Sequence, residues 1–328
     1  MAKQTKEERQ ASARSGDRLR LLGYGACALA GTIWGTGFYF GRLALDEMNV
    51  EHMVLYRFLF ACVGLAPILV RHRVRLTAGE MRTLFLTALL GIPLQFLLQF
   101  HGLARTTVSH ASLMVGALPV MLAGAAAIFA KERLDWTGWL AVCISTAGAL
   151  LVTLGGDRST TGHETPTLTG DMLVIASLVV ALVWILLSKK LLESHSPPVV
   201  TAYTIYLGTA MQVVWTIGVH LRAAWTHTVI EPWPFLHVSA TAWIALAISG
   251  VMCTATTTLL WNWGLHHVPA SRAGVFLNIE PALGAVLGVE LLGERLGPFA
   301  WLGGALILGA AIAMTIHRHE PDPEVILE

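Results

Sequence analysis

Ten long apolar stretches limit the folds that are open to this sequence. An α-helix rises about 1.5 Å per residue, so about 20 apolar residues cross a hydrocarbon core that is about 30 Å thick. Charged residues make up only 13% of the chain, which is too few to cover a soluble fold with polar surface. We therefore predict an all-α membrane protein with ten transmembrane helices. The predicted spans are residues 21–44, 51–70, 81–104, 107–130, 136–155, 170–192, 197–220, 240–265, 270–292 and 298–317.

The lysine and arginine residues lie mostly on one side of these spans. With the N-terminus in the cytoplasm, fifteen of them fall on the inner side and five on the outer side, apart from Arg57 and Arg272 at or within spans. Cytoplasmic loops of membrane proteins carry such an excess of positive charge. The distribution predicts a multi-pass protein of the bacterial inner membrane, with cytoplasmic tails at 1–20 and 318–328.

An internal repeat relates the two parts of the chain. At an offset of 162 residues, 102–149 aligns with 264–311 without a gap. The two copies share a proline, a tryptophan and a Glu-Arg-Leu triplet, which stands at 132–134 and at 294–296. These identities are stronger indications of a duplication than the shared alanines and leucines, which are common in any membrane protein.

The repeat predicts two five-helix units, 21–156 and 170–317, joined by an outer linker at 157–169. Because each unit has an odd number of spans, the second unit must insert upside down relative to the first. Inverted repeats are typical of secondary transporters, in which exchanging the conformations of the two units opens a site to the opposite side. An old duplication with no role in function is the alternative.

Four short patterns resemble the EamA-type ten-helix group of the drug/metabolite transporter superfamily. They are Ile-Trp-Gly-Thr at 33–36, Tyr-Arg-Phe at 56–58, and the proline and Glu-Arg-Leu patterns at 119–134 and 281–296. The resemblance extends over about residues 20–317. It implies a secondary transporter with one cavity between its halves, and export of amino acids, other metabolites or drugs. Four-helix relatives use a carboxylate in helix 1, and residues 21–41 contain none.

Glu280 is the sharpest candidate for the transport site. It lies about ten residues into the predicted ninth span and therefore near the bilayer midplane. An ionisable side chain at that depth is costly and usually faces a cavity or a partner. Pro281 follows and removes a backbone hydrogen bond, so the carboxylate and a free carbonyl could bind an ammonium group or a proton. A buried pairing that locks two helices together is the alternative.

Arg57 lies about two turns into the second predicted span. It could hold a substrate carboxylate. It could also extend to the outer interface or pair with an acidic neighbour. The structural interpretation is the more common one for a single arginine in a span.

Polar and aromatic side chains complete the predicted substrate site. Gln95 and Gln99 share one face of the third span, and His101 follows them. Polar side chains in spans either line water or bond a neighbouring helix. Aromatic side chains can form a cavity for a planar or cationic substrate, whereas those near helix ends belong to interfacial belts, to which we assign Trp261. The further candidates are Trp34, Tyr39, Trp184, Tyr203 and Asn278.

Together these features predict a secondary transporter that exports amino acids or related small metabolites by alternating access, with proton coupling through Glu280 as an option. No phosphate-binding loop, cofactor motif or nucleic-acid patch is found. A non-transporting scaffold or a channel is the alternative. An intramembrane enzyme is less favoured, because no His-Glu-x-x-His or Gly-x-Ser-x-Gly motif occurs. Gly-x-x-x-Gly spacings, as at 284–288, predict close helix packing within the fold or in a homodimer.

Overall fold

The computed structural model describes residues 6–71, 74, 76–118, 120–121, 136–154, 166–228, 233–234, 238–268 and 274–317. This part of the chain consists of helices and their connections, without a β-strand. The prediction of an all-α protein is confirmed for these residues. The first Glu-Arg-Leu triplet, most of the predicted outer linker and the C-terminal tail lie outside them.

The first half contains seven described helices, which overlap its predicted spans. A π-helical turn at Leu90–Leu94 joins α4 to α5. The bounds are α1 Lys6–Gly35, α2 Gly37–Leu45, α3 Val50–Arg71, α4 Ala78–Leu89, α5 Gln95–Leu103, α6 Val108–Val115 and α7 Trp136–Leu154.

The second half has a similar order of elements. A π-helical turn at Val251–Thr256 joins α10 to α11, and a 3₁₀ turn at Gly274–Asn278 precedes α12. The bounds are α8 Leu168–Leu192, α9 Pro197–Thr226, α10 Ala240–Gly250, α11 Thr257–His267, α12 Ile279–Leu292 and α13 Pro298–His317.

Within the described ranges, four helices are long and apolar enough to cross a bilayer, judged by length and composition. They are α3, α8 and the continuous helices Ala78–Leu103 and Ala240–His267 that include the π turns. Shorter apolar helices occur at Trp136–Val152 and Pro298–Ala310. The number of ten spans and their inverted arrangement remain predictions.

A break at Thr36 divides the first predicted span into α1 and α2. The Thr36 hydroxyl donates to the carbonyl of Ile33 at 2.7 Å. Such a local bond competes with the helix ladder, and the glycines on both sides of Thr36 are weak helix formers. In addition, α1 begins at Lys6, so much of the segment predicted as a polar tail is helical.

A second break changes the predicted span at 270–292. The 3₁₀ turn at Gly274–Asn278 comes first, and α12 begins only at Ile279. Pro281 fits this start, because proline has no N–H to donate to an earlier carbonyl and is favoured in the first turn of a helix. Glu280 therefore lies at the start of a broken helix rather than in the middle of a continuous one.

Helices from the two halves pack against each other in matching pairs. α1 packs on α11, α5 on α8, α3 on α9, α6 on α12 and α7 on α13. In the order of the predicted spans, the first pairs with the eighth and the third with the sixth, while the others pair with their own counterparts. This crossed pattern is the one that a two-fold relation between the halves generates.

The two π-helical turns occupy equivalent places in the repeat. The offset of 162 residues moves 90–94 onto 252–256, and the second π turn covers Val251–Thr256. Two side chains stabilise the second turn, because Thr254 and Thr256 each donate to the carbonyl five residues earlier, at 3.1 and 2.8 Å. π-helical turns are rare in proteins overall, but those that occur lie frequently at functional sites.

Glycine allows α12 to approach α6 closely. A side chain at Gly284 would collide with Ser112, and one at Gly288 would collide with Ser109. Packing within the fold therefore accounts for this Gly-x-x-x-Gly spacing. The homodimer remains a prediction.

Candidate substrate-binding cavity

A cavity with an empty volume of about 1090 Å³ lies between the two halves. The first half lines it with α1, α2, α3, α5, α6 and the first π turn, and the second half with α8, α9, α11, the second π turn and the start of α12. None of its described lining residues comes from α7 or α13. Clefts between packed helices are common places for small-molecule sites.

Each half contributes one charged side chain to the lining of this cavity. Arg57 of α3 and Glu280 of α12 are the only charged residues among the described residues that line it. They form no direct ion pair, since no Arg57 nitrogen lies within 4.0 Å of a Glu280 carboxylate oxygen. The described part of the cavity wall therefore offers one basic and one acidic side chain to a ligand.

The start of α12 positions Glu280. Its carboxylate lies in the first turn of this helix, where the positive end of the helix dipole favours a negative charge. Gly35 lets α1 approach at this level, because a side-chain carbon there would come within 3.1 Å of the Glu280 carbonyl oxygen. The broken helix and the close packing of α1 together hold Glu280 at the cavity wall.

Aromatic rings form much of the cavity wall. Trp34 of α1 packs against Trp261 of α11, with ring centroids 5.5 Å apart. Trp261 is only 4% exposed and lines the cavity, so its assignment to an interfacial belt is wrong. Trp184 contributes from α8 and lies directly against Gly91 of the first π turn. The other aromatic lining residues are Phe38, Phe58, Phe96 and Phe100.

Polar groups between the rings add hydrogen-bonding capacity. The side-chain oxygens of Gln95 and Thr204 are buried without a hydrogen-bond partner among the described residues, and both residues line the cavity. Nearby, Asn262 donates to the Thr201 hydroxyl at 2.7 Å. Because buried polar atoms normally have partners, the two unpartnered oxygens indicate a position for water or a ligand.

The structure brings most of the predicted site residues into this one cavity. They come from both halves and include both charged candidates. The predicted residues that line the cavity are Trp34, Arg57, Gln95, Gln99, Trp184 and Glu280.

Four predicted residues do not belong to the cavity lining, namely Tyr39, His101, Tyr203 and Asn278. His101 contacts the Glu51 carboxylate at 3.2 Å. Tyr203 packs on an apolar cluster formed by α4, α8 and α9. Tyr39 lies on α2, and Asn278 ends the 3₁₀ turn before α12. Periodicity could not separate these four from the others, because it does not show which neighbouring helix a face meets.

The repeat offset identifies lining residues of the second half that the predicted substrate site did not include. Adding 162 to the lining positions 91, 92, 96, 99 and 100 gives 253, 254, 258, 261 and 262, which line the cavity as well. The second set consists of Cys253, Thr254, Thr258, Trp261 and Asn262. The signal was present in the sequence, but only the fold shows that this face of the third span in each half points into the cavity.

Replacing Gly91 with alanine is expected to displace the indole of Trp184, because a side-chain carbon at Gly91 would collide with that ring. Overpacking of this kind costs about 1–3 kcal/mol. We expect a lower melting temperature and weaker substrate binding. Gly79→Ala is the matched control in the same continuous helix, since a carbon there meets nothing within 4 Å. Equal melting temperatures and affinities for the two variants would contradict the prediction.

The two halves of this helical membrane protein enclose a cavity with charged, polar and aromatic walls. These are the features of a multi-pass transporter. The chain belongs to the EamA-like transporter family, whose model matches residues 21–154 and 168–316. This match confirms the resemblance noted from the short sequence patterns.

Individual relatives agree with this assignment. A protein from Archaeoglobus fulgidus named as an uncharacterized transporter is 24% identical over 299 residues, which cover 89% of this chain and 97% of the relative. A probable terminal-alkyne amino-acid exporter from Streptantibioticus cattleyicolor is 26% identical over 297 residues, covering 89% and 92%. A crystal structure with 17% sequence identity matches with a TM-score of 0.61 over 92% of this chain and 99% of that one, and this likeness concerns the fold alone.

Proposed function

We propose that this protein is a secondary transporter that exports amino acids or related small metabolites by alternating access. The observation that carries the proposal is the cavity that both halves build, in which Arg57 and Glu280 are the only charged groups among the described lining residues. A zwitterion carries one group of each charge and can satisfy both. Channels and scaffolds do not require such a site.

The chemistry of the wall favours amino acids with apolar side chains. Aromatic rings surround the two charged groups, so a ligand can bury an apolar part there and gain about 25 cal/mol for each Å² removed from water. The relative from Streptantibioticus cattleyicolor, which is named as a probable amino-acid exporter, supports the same substrate class.

The arrangement of the helices supports alternating access. The crossed pairing of α1 with α11 and of α5 with α8, together with the two π turns at equivalent repeat positions, fits two inverted halves that can exchange conformations. Ten spans, both termini in the cytoplasm and a location in the bacterial inner membrane are part of this proposal.

Glu280 is the proposed coupling residue. A carboxylate in a membrane cavity binds either a proton or a cationic group of the substrate, because an uncompensated charge is costly there. Competition between the two would exchange a proton for the substrate. Export then follows from an inward proton gradient.

Counterflow in proteoliposomes tests the proposal. Vesicles loaded with one unlabelled amino acid are diluted into the same labelled compound, and nucleosides and cationic dyes are tested in parallel. We expect saturable exchange of apolar amino acids. Non-saturating flux would indicate a channel, and absence of exchange for every amino acid would overturn the proposed substrate class.

The direction of transport requires a second measurement in cells. Cells preloaded with the exchanged amino acid are expected to lose it faster when they make the protein. Faster accumulation instead of faster loss would contradict export while leaving the carrier function intact.

A further inference from the structure

We propose that Thr254 is the positioning residue that holds the Arg57 guanidinium in place to bind the carboxylate of the substrate. This inference rests on the proposed function and deepens it by assigning an anion subsite within the cavity. It joins a side chain of α3 to the π-helical turn between α10 and α11.

Arg57 is held on several sides. Its side chain is only 3% exposed, and the guanidinium carbon lies 5.0 Å from the ring centroid of Phe96 and 5.3 Å from that of Phe100. The Nε atom donates to the Thr254 hydroxyl at 2.9 Å. The two rings and the hydroxyl therefore restrict the movement of the guanidinium.

The outer nitrogens of this guanidinium are available to a ligand. Among the described residues, the Thr254 hydroxyl is the one group that accepts a hydrogen bond from Arg57. Arg57 lines the cavity, and no carboxylate of the described residues lies within 4.0 Å of its nitrogens. A guanidinium presents two parallel N–H groups that match a carboxylate. Within the described residues, Arg57 therefore has no ion-pair partner that would compete with a ligand carboxylate.

Thr254 is itself fixed to the backbone. Its hydroxyl donates to the carbonyl of Ser249 at 3.1 Å, while the oxygen accepts from Arg57, so both functions of the hydroxyl are used. The neighbouring residue Gly250 touches the Arg57 carbonyl oxygen, since a side chain there would collide with it. The Thr254 side chain in the π turn and Gly250 at the end of α10 therefore both set the position of Arg57.

Thr256 provides a matched control in the same π turn. Its hydroxyl donates to the carbonyl of Val251 at 2.8 Å, which is the same five-residue bond that Thr254 makes. Thr256 does not belong to the cavity lining and is not a partner of Arg57. Valine at either position removes a hydroxyl of the π turn, but only the change at Thr254 removes a hydrogen bond to Arg57.

The test measures carboxylate binding without requiring transport. The purified full-length protein is titrated with isovalerate, a carboxylate without an amino group, and with 3-methylbutylamine, an amine of the same shape without a carboxylate. Affinity is taken from the rise in melting temperature with ligand concentration. The variants are Thr254→Val, Thr254→Ser, Thr256→Val and Arg57→Lys.

We expect Thr254→Val to weaken isovalerate binding about tenfold, the loss expected for one charge-assisted hydrogen bond, and to leave binding of the amine unchanged. Thr254→Ser and Thr256→Val should bind isovalerate as the unmodified protein does, and Arg57→Lys should bind it weakly. Equal losses in Thr254→Val and Thr256→Val would reduce Thr254 to a structural role. Absence of isovalerate binding to the unmodified protein would overturn the anion subsite, whereas absence of amino-acid counterflow would overturn the proposed function.

Discussion

Replacing Glu280 with glutamine is expected to reduce counterflow about 10- to 100-fold, the cost of losing one or more hydrogen bonds to a charged group. Glutamine keeps the size of the side chain but can neither carry a negative charge nor release a proton. Glu280 lines the cavity together with Arg57, so its replacement leaves the arginine as the only charged group among the described lining residues. Initial rates in proteoliposomes measure the effect, with equal amounts of protein in each preparation.

A second glutamate of the same helix supplies the control. Glu290 of α12 is exposed and does not line the cavity, so Glu290→Gln makes the same chemical change away from the site. We expect this variant to retain the unmodified rate. Normal counterflow by Glu280→Gln with an unchanged response to a pH gradient would remove Glu280 from the mechanism. Normal counterflow without that response would restrict its role to coupling.

Replacing Glu294 with alanine is expected to lower stability by about 3 kcal/mol, because two buried backbone N–H groups would lose their acceptor. The Glu294 carboxylate accepts from the backbone N–H of Val108 at 2.8 Å, from that of Ser109 at 2.7 Å, and from the Ser109 hydroxyl at 2.6 Å. These groups form the start of α6, where the helix dipole also favours a negative charge. The melting temperature of the purified protein measures the loss.

A half-buried carboxylate whose hydrogen bonds are exposed to water serves as the comparison. Glu47 accepts from the backbone N–H and from the hydroxyl of Ser239, each at 2.6 Å, at the start of α10. These bonds lower the pKa of Glu47, but water can replace them when the carboxylate is removed. We expect Glu47→Ala to lower the melting temperature less than Glu294→Ala does. An equal or larger effect at Glu47 would contradict the argument from burial.

The Glu294 contact also gives the second Glu-Arg-Leu triplet a physical role. The Glu294 carboxylate, which follows α12, caps the start of α6. A residue of the second half therefore accepts hydrogen bonds from the first N–H groups of a helix of the first half. The repeat alone indicated that this triplet is important, but it did not show which residues the triplet contacts. Its partners stand 185 or more residues earlier in the chain, beyond the reach of any local pattern.

Several features of this protein could be predicted from the residues alone. In a bilayer every backbone polar group must be paired within the chain, which leaves helices as the spanning structure for long apolar segments. The all-helical fold of the described residues, the membrane class and the family therefore followed from local patterns. So did the interest in Glu280, because a charge in an apolar stretch stands out without knowledge of its neighbours. The spacing of Gln95 and Gln99 placed both on one helical face, and that face lines the cavity.

Other features depended on contacts between distant segments. Arg57 and Thr254 are 197 residues apart in the chain, and neither residue type distinguishes an anion subsite from a buried structural pair. The sequence pattern treated Trp261 as a belt residue because it lies near a helix end, whereas the packing of α11 against α1 buries it beside Trp34. Apolar periodicity reports that a face avoids water, but lipid, a neighbouring helix and a cavity wall all meet that condition, and only the packing of the helices distinguishes between them.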